Sequence, residues 1–165
     1  MSKIALERAE KIAEAVVKRL SPYCKKKADG APYIEVAGSV RRKKPQVRDI
    51  DFVLVPSDPW NLHHEIGGMG QVRMSGMKIM RVMVGSVQVD LYIADEKTWA
   101  TLLLIRTGSA ENNKRLCFRA KEMGWHLAAS GDGLFNEKGE RIAGDTELSI
   151  YNALGLPWQR PEERG

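Results

Sequence analysis

Two runs in the middle of the chain alternate between apolar residues and polar ones. Residues 50–55 and 87–93 are rich in β-branched and aromatic side chains, a composition that predicts β-strands. Because successive side chains of a strand point to opposite faces, Asp49 and Asp51 share one face, while the apolar residues around them point to the other. In the second strand, Asp90 points to the face opposite to that of its apolar neighbours Val89 and Leu91. If the two strands are neighbours, the three carboxylates meet on one patch of the sheet.

The remaining pattern predicts helices and strands in mixed order. Apolar residues at helical spacing predict an amphipathic first helix, and Gly or Thr residues mark the ends of the later helices. Without regular alternation of strands and helices, this order favours an α+β fold. The predicted helices span residues 2–20, 96–105, 110–123 and a last segment between Thr146 and Gly155; further strands span residues 33–37, 71–74 and 77–84, and a hairpin lies within residues 125–142.

The three aspartates predict a site for hard cations. Carboxylates that lie close together repel one another, and each raises the pKa of the others unless a cation lies among them. Divalent cations that prefer oxygen ligands, Mg²⁺ above all and Mn²⁺ as the alternative, suit such a site. The alternative is structural, because aspartate at the start of a strand often caps a turn.

A basic turn just upstream strengthens the first interpretation. Gly38 and Ser39 are followed by four cations within residues 41–44. Glycine allows close backbone approach, a serine hydroxyl can donate a hydrogen bond, and arginine presents a planar fork that matches phosphate oxygens. Alone, the segment is more simply interpreted as a solvated basic turn. Followed directly by the aspartate strand, it predicts half of a nucleotide site, in which the cations bind the phosphates.

Composition and charge limit the class of protein. With 43% hydrophobic and 28% charged residues, the chain has the composition of a soluble globular protein. The net charge is +5, and residues 25–48 hold eight basic side chains against two acidic ones, which indicates a polyanionic partner. Cys24 and Cys117 lack a CxxC spacing, which predicts reduced thiols. No apolar run is long enough to span a bilayer, and no secretory pattern is present. We therefore expect a protein of the cytoplasm, including a nucleoid or a viral replication site, with no membrane partner. We also expect a monomer.

The order of these motifs resembles that of the family X DNA polymerases of the polymerase β type, in the nucleotidyltransferase superfamily. The signature begins with Gly38-Ser39 and continues with Asp49-Ile50-Asp51 and with Asp90. Further on, Thr107-Gly108-Ser109 leads into a helix, and the tail from Leu154 to Arg164 also resembles the family's C-terminus. The matches run in the family's order from about residue 30 to the end.

The resemblance implies a fold, an activity and roles for individual residues. It implies a nucleotidyltransferase-type mixed sheet with flanking helices (the palm, residues 1–105) and a small α+β thumb subdomain (residues 106–165), without the family's lyase and helix-hairpin-helix domains. It implies transfer of a nucleoside monophosphate from a dNTP to a DNA 3′-hydroxyl by a two-metal mechanism that uses two Mg²⁺ ions. Asp49, Asp51 and Asp90 would bind the metals and carry catalysis; Gly38, Ser39, Arg42, Arg48, Arg106, Thr107, Gly108, Ser109 and Asn113 would bind the nucleotide; Arg41, Lys43, Lys44, Lys114, Arg115 and Arg119 would contact DNA.

Three positions depart from the family pattern. Arg48 stands where the family usually has glycine, and Ile105-Arg106 replaces the aromatic pair before Thr-Gly-Ser that excludes ribonucleotides. Cys117 takes the place of the arginine that probes the minor groove of the new base pair. From these substitutions we expect weak discrimination against rNTPs and low fidelity.

The sequence leaves more than one function open. The leading expectation is a DNA polymerase that fills short gaps in DNA repair. The same three aspartates would serve a nucleotidyltransferase that acts on an RNA end, a protein or a small molecule, or a template-independent terminal transferase. A catalytically idle module that binds DNA ends is the alternative from another class, although three unneutralised acids near a DNA backbone would weaken its binding.

Overall fold

The structure, a computed structural model, describes residues 2–165 and contains a central sheet with helices on both faces. None of the helices within this range is long and apolar enough to cross a membrane. Short 3₁₀ turns at Ser21–Tyr23 and Pro161–Glu163 supplement the main elements. In chain order these are β1 (Ile4–Ala5), α1 (Leu6–Leu20), β2 (Ile34–Val36), α2 (Gly38–Arg41), β3 (Gln46–Val47), β4 (Asp49–Leu54), α3 (Pro59–Gly67), β5 (Gln71–Ser75), β6 (Ile79–Val84), β7 (Val87–Ile93), α4 (Trp99–Thr107), α5 (Ala110–Glu122), β8 (His126–Ala128), β9 (Gly133–Phe135), β10 (Arg141–Ala143) and α6 (Glu147–Leu154).

The main sheet has five strands in the order β2-β4-β7-β6-β5. β4 and β7 run parallel, and every other neighbouring pair is antiparallel. A tight turn at Gly85-Ser86 joins β6 to β7, as the sequence predicts. The parallel register pairs Asp51 with Asp90, so the two aspartate segments lie side by side at the centre of the sheet.

One face of this sheet is buried against α1 and α3. The apolar residues of β4, β6 and β7 that point to this face pack against the apolar stripe of α1 and against Leu62 and Ile66 of α3. On the opposite face, α4 covers only one end of the sheet, where Trp99 and Leu103 pack against Val53. The rest of that face, which carries the aspartates, remains open to a substrate.

A second core forms around the last third of the chain. α5, α6 and the small antiparallel sheet β10-β9-β8 enclose apolar side chains such as Leu116, Leu134 and Tyr151. α4 joins the two cores, because its first residues pack on the main sheet while Leu104 and Ile105 belong to this second cluster. The fold is therefore α+β, with a mixed sheet, flanking helices and a smaller α+β part, as the sequence predicts.

Two predicted segments differ from the structure. The sequence pattern around His63 and His64 indicates a loop, but these residues lie in α3, which Asp58 caps by accepting a hydrogen bond from the Asn61 amide. α4 begins at Trp99 rather than near residue 96, because Asp95 and Thr98 exchange hydrogen bonds between side chain and backbone and form a turn there.

A carboxylate shared between two arginines joins the two halves of the fold. Glu147 of α6 accepts hydrogen bonds from Arg41 of α2 at 2.8 and 2.9 Å and from Arg164 at 2.6 Å. Arg164 is fully buried, and its guanidinium also lies over the ring of Tyr151. Burial would by itself raise the pKa of Glu147, but the two arginines outweigh burial and lower this pKa below its ordinary value. The fully buried charge of Arg164 and the largely buried charges of Arg41 and Glu147 therefore depend on one another.

We predict that Glu147→Gln lowers the free energy of unfolding by about 3 kcal/mol at pH 7, because it leaves Arg164 buried without a counter-charge and leaves Arg41 only the more distant Glu35. Since the folded-state pKa of Glu147 is lowered, its stabilisation is present above about pH 4.3, the ordinary value for glutamate, and is lost as the pH falls through the folded pKa. The difference from wild type should therefore shrink at pH 3. Urea unfolding at the two pH values measures it.

The matched control is Glu137→Gln, a change of the same chemistry at an exposed loop position. An equal loss of stability in the two variants at pH 7 would contradict the role of Glu147.

Candidate active site

Three carboxylates lie on one face of the main sheet. The parallel register of β4 and β7 places Asp51 opposite Asp90 and Asp49 opposite Gln88. Neighbouring strands are about 4.8 Å apart, so side chains that oppose each other on one face are close together. Asp90 is buried, whereas Asp49 and Asp51 are partly exposed on the open side of the sheet. The structure thus brings together the three aspartates that the sequence singles out.

The carboxylates raise one another's proton affinity. Burial, followed by the negative charges of Asp49 and Asp90, raises the pKa of Asp51 to about 7, and the nearby Arg106 and Arg42 offset only part of this effect. Burial and Asp90 likewise raise the pKa of Asp49. A carboxyl group that takes up a proton near neutral pH lies in a site that is short of positive charge. A bound divalent cation would supply that charge.

Asp90 has a cationic partner on the neighbouring strand. Arg81 of β6 donates from Nε to Oδ1 at 2.7 Å and from Nη2 to Oδ2 at 3.3 Å, and Gln88 Nε2 lies 3.2 and 3.3 Å from the two oxygens. Within residues 2–165, no three acidic, histidine or cysteine side chains are grouped so that they could hold a metal ion in their present rotamers. The Arg81 side chain is 33% exposed, and Gln88 also contacts both oxygens, so binding of a cation by Asp90 requires both partners to move. Carboxylate oxygens are donors of the kind that Mg²⁺ and Mn²⁺ prefer.

Glycine is required at the turn beside the aspartates. Gly38 has a φ of +58°, and a Cβ atom there would lie 2.3 Å from Oδ2 of Asp51. The Ala37 amide also donates to the Asp51 carbonyl at 2.7 Å, so the turn is fixed to β4 at the same point. Ser39 follows in the short α2, partly exposed. The predicted phosphate-binding turn therefore lies in direct contact with the aspartate strand.

The two arginines of this turn have different surroundings. Arg42 donates from Nη1 to the Thr107 carbonyl at 2.9 Å, while its Nε is buried and has no protein partner. Arg41 donates to the Thr107 hydroxyl at 2.9 Å as well as to Glu147, and its side chain is only 15% exposed. The DNA contact predicted for Arg41 would have to compete with these internal partners. Arg42 is the better placed of the two to bind an external phosphate.

The Thr107-Gly108-Ser109 segment forms the junction between α4 and α5. Thr107 is fully buried, and both its hydroxyl and its carbonyl are bound by the arginines of α2. Ser109 caps α5 by accepting from the Asn112 amide, and its own amide donates to the Arg164 carbonyl at 2.9 Å. Contacts of the nucleotide with this segment would therefore involve Gly108 and the exposed edge of the turn rather than the Thr107 side chain.

The other residues predicted to bind the nucleotide surround this turn. Asn113 donates to the Ile105 carbonyl at 2.8 Å, and its side-chain oxygen is buried without a partner. Arg106 is exposed, and its guanidinium lies 4.1 Å from the ring centre of Tyr92 on β7, the strand that carries Asp90. Arg48 is exposed at the start of β4.

The residues predicted to contact DNA fall into two groups. On α5, Lys114 and Arg115 are exposed, whereas Arg119 donates to the Leu154 carbonyl at the end of α6 and is half-buried. After α2, Lys43 is exposed and paired with Glu10, and Lys44 is partly exposed. The exposed positions of α5 are therefore the ones most accessible to a nucleic acid.

Arg81 and Gln88 bind Asp90 directly, although the sequence alone does not single them out as site residues. Arg81 has a detectable signal, because it is the only charged residue within the apolar strand β6. Its partner could not be predicted, since the pairing of β6 with β7 in this register is needed to place Arg81 opposite Asp90.

We predict that Asp51→Asn stabilises the metal-free protein at alkaline pH. A carboxyl group whose pKa is raised to about 7 on folding lowers the stability of the folded protein as the pH rises from about 4 to 7, because the folded state holds a proton that the unfolded state releases. We expect Asp51→Asn to raise the free energy of unfolding by about 1–4 kcal/mol at pH 8 and by less at pH 5. Urea unfolding in the presence of a chelator measures both values.

The control for this prediction is Asp132→Asn, which changes an exposed aspartate in the loop before β9. A loss of stability at pH 8 in Asp51→Asn, or a gain of equal size at both pH values, would contradict the electrostatic account.

Comparison with known proteins agrees with this geometry. Residues 102–165 match the family model described as DNA polymerase beta thumb. The chain is also similar to the "DNA polymerase/3'-5' exonuclease PolX" of Bacillus subtilis (strain 168), with 29% identity over 134 residues that cover 78% of this chain and 23% of that relative. The chain thus spans less than a quarter of the relative's length. Together with the mixed sheet and the order of its motifs, these similarities agree with the resemblance of the chain to the family X DNA polymerases.

Proposed function

We propose that this chain is the palm-and-thumb core of a DNA-directed DNA polymerase that transfers a nucleoside monophosphate from a dNTP to a DNA 3′-hydroxyl. The observation that carries the proposal is the contact between the three-carboxylate patch and the Gly38-Ser39 turn, where Gly38 lies against the Asp51 carboxylate. Carboxylates that bind cations and a turn that binds phosphates are the two parts that nucleotidyl transfer requires. Filling of short gaps during DNA repair is the proposed role.

The proposed mechanism assigns separate tasks to the carboxylates. Two divalent cations held by Asp49, Asp51 and Asp90 would stabilise the charge on the attacking and leaving oxygens. Asp90, on the open face of β7, is the group that accepts the proton of the 3′-hydroxyl. Before the reaction, Asp90 must give up its contacts with Arg81, which then turns towards solvent.

The proposed nucleotide position follows from the basic turn. Ser39 and Arg42 bind the triphosphate, since Arg42 retains a buried Nε without a partner. Gly108 and the exposed edge of the 107–109 turn lie beside the sugar, and Asn113 lies near the base. Because Arg42 binds both the phosphates and the Thr107 carbonyl, it couples phosphate binding to the sugar side of the site.

The proposed division of the chain places the palm at residues 1–105 and the thumb at residues 106–165. The exposed cations of α5, Lys114 and Arg115, would bind the DNA backbone. Binding that depends on a few phosphate contacts falls steeply as salt increases and discriminates little between sequences. A monomer in the cytoplasm, with Mg²⁺ as the natural ion, is part of the same proposal.

One observation favours a second candidate, a template-independent terminal transferase. Cys117 on α5 is half-buried and its thiol offers no strong hydrogen-bond donor at the position where the family has an arginine that probes the new base pair. Without that probe, the site has one contact fewer with which to require a correctly templated base pair.

We predict that the protein extends the primer of a one-nucleotide gapped duplex in Mg²⁺ when the complementary dNTP is supplied. Asp90→Ala should abolish extension, because it removes a cation ligand and the proton acceptor, whereas the control Glu137→Ala should extend as wild type does. Each of the four dNTPs is tested alone.

The pattern of products decides between the candidates. Addition of only the complementary nucleotide supports templated synthesis, and addition of all four nucleotides at similar rates would replace it with the terminal transferase. Duplex binding without any addition would contradict both and favour a different acceptor.

We further predict that the preference for dNTP over rNTP is below about a thousandfold, which corresponds to about 4 kcal/mol in transition-state free energy. The reason is that Arg106, exposed and stacked on Tyr92, replaces the rigid aromatic wall that would exclude a 2′-hydroxyl. Single-turnover insertion of matched dNTP and rNTP measures the ratio. A preference well above a thousandfold in the wild-type protein would show that another group excludes the hydroxyl.

A further inference from the structure

An open pocket of about 680 Å³ adjoins the carboxylates on the side of Asp49. Four cationic side chains line it, whereas Asp49 is the only acidic residue in its lining. Arg42 belongs to the phosphate-binding turn, and Lys44 and Arg48 lie on the segment that leads into β4. Lys3 comes from the first residues of the described chain, more than thirty residues away in sequence from the other three.

The pairing of β1 with β3 brings Lys3 to this place. Ile4 pairs with Val47 and Ala5 with Gln46, and the Leu6 amide donates to the Pro45 carbonyl at 3.0 Å. Ile4 and Val47 pack towards the main core. Continued by one residue, the same register places Lys3 beside Arg48, and both residues line the pocket.

Two neighbouring cations repel, and Asp49 is the one acidic side chain in the lining that offsets their charge. Like charges in directly opposed positions destabilise a strand pair. No ion pair within residues 2–165 includes Lys3, Arg42, Lys44 or Arg48. By contrast, Lys43 in the same segment is paired with Glu10. The unpaired cations are therefore those that face the pocket.

We propose that this pocket binds a terminal phosphate group, with Lys3 and Arg48 as neighbouring ligands. A terminal phosphate carries close to two negative charges and three acceptor oxygens, which matches an ammonium and a guanidinium that lie side by side. The phosphate has two possible sources: the distal phosphate of the nucleotide, in which case the inference rests on the proposed function, or a 5′-phosphorylated DNA end. Lys3 is thus a binding residue whose role the polymerase motifs do not include.

The direct test measures binding of inorganic tripolyphosphate by calorimetry, without DNA or catalysis. We expect Lys3→Ala and Arg48→Ala each to weaken binding at least fivefold, and Lys3→Arg to restore most of the affinity. The double variant should lose less than the product of the two single losses, since the neighbouring groups bind the same phosphate. The matched control is Lys11→Ala on the exposed surface of α1, which removes one positive charge outside the pocket. Lys3 is exposed, so thermal unfolding of its variants should match that of wild type.

A second arm distinguishes the source of the phosphate. Binding of gapped duplexes with a 5′-phosphate or a 5′-hydroxyl on the downstream strand is compared in wild type and Lys3→Ala. Weaker tripolyphosphate binding with an unchanged 5′-phosphate preference assigns the pocket to the nucleotide, and we then expect Lys3→Ala to raise KM for dNTP with little change in kcat. Loss of the 5′-phosphate preference alone assigns the pocket to DNA.

If Lys3→Ala binds both tripolyphosphate and the 5′-phosphorylated duplex as wild type does, the phosphate site is disproved. This result is independent of the proposed polymerase activity. A wild-type protein that binds tripolyphosphate through Lys3 but extends no primer would retain the phosphate site and lose the polymerase function.

Discussion

The parallel pairing of β4 with β7 is the constraint on which the candidate site depends. It places Asp51 opposite Asp90, and burial together with the charges of Asp49 and Asp90 raises the pKa of Asp51 to about 7. The other face of the same two strands offsets this destabilising effect, because the apolar side chains of β4 and β7 are buried there beneath α1 and α3. One face of the sheet therefore supplies stability and the other supplies reactivity. This separation is possible because strand side chains alternate.

A second, charged junction fixes the thumb to this sheet. Glu147 binds Arg41 and Arg164, and Arg41 and Arg42 bind Thr107, so α2, α4, α6 and the C-terminal segment meet at one set of hydrogen bonds. Buried ion pairs contribute little net stability, but they tolerate few alternative arrangements. We infer that the junction holds the 107–109 turn at a fixed distance from the phosphate-binding turn. A nucleotide that touches both turns would then find them already positioned, which lowers the entropic cost of binding.

Much of this arrangement can be predicted from sequence where the information is local. Alternation places Asp49 and Asp51 on one face, and the end of α6 follows from Gly155, which adopts the left-handed conformation just past the helix. The interpretation of His63 and His64 as loop residues was wrong, because α3 is short and only Leu62 and Ile66 of its apolar face are buried.

Other features depend on contacts that local pattern does not encode. The two-residue strands β1 and β3 carry too few residues for any periodicity, although their pairing decides where Lys3 lies. Arg41 and Glu147 are 106 residues apart in sequence, so their ion pair could not be predicted from the basic turn. The turn indicates DNA binding, but in the fold Arg41 binds Glu147 inside the protein. Arg81 is opposite Asp90 only because of the β6–β7 register.

A crystal structure would test whether the carboxylates of β4 and β7 form one cation site. Crystals of the protein are soaked in Mn²⁺ and a nonhydrolysable nucleotide, and anomalous scattering locates the ion. We expect Mn²⁺ in contact with Asp49, Asp51 and Asp90, with Arg81 turned away from Asp90. Mn²⁺ bound elsewhere, with the Arg81–Asp90 pair intact, would contradict it.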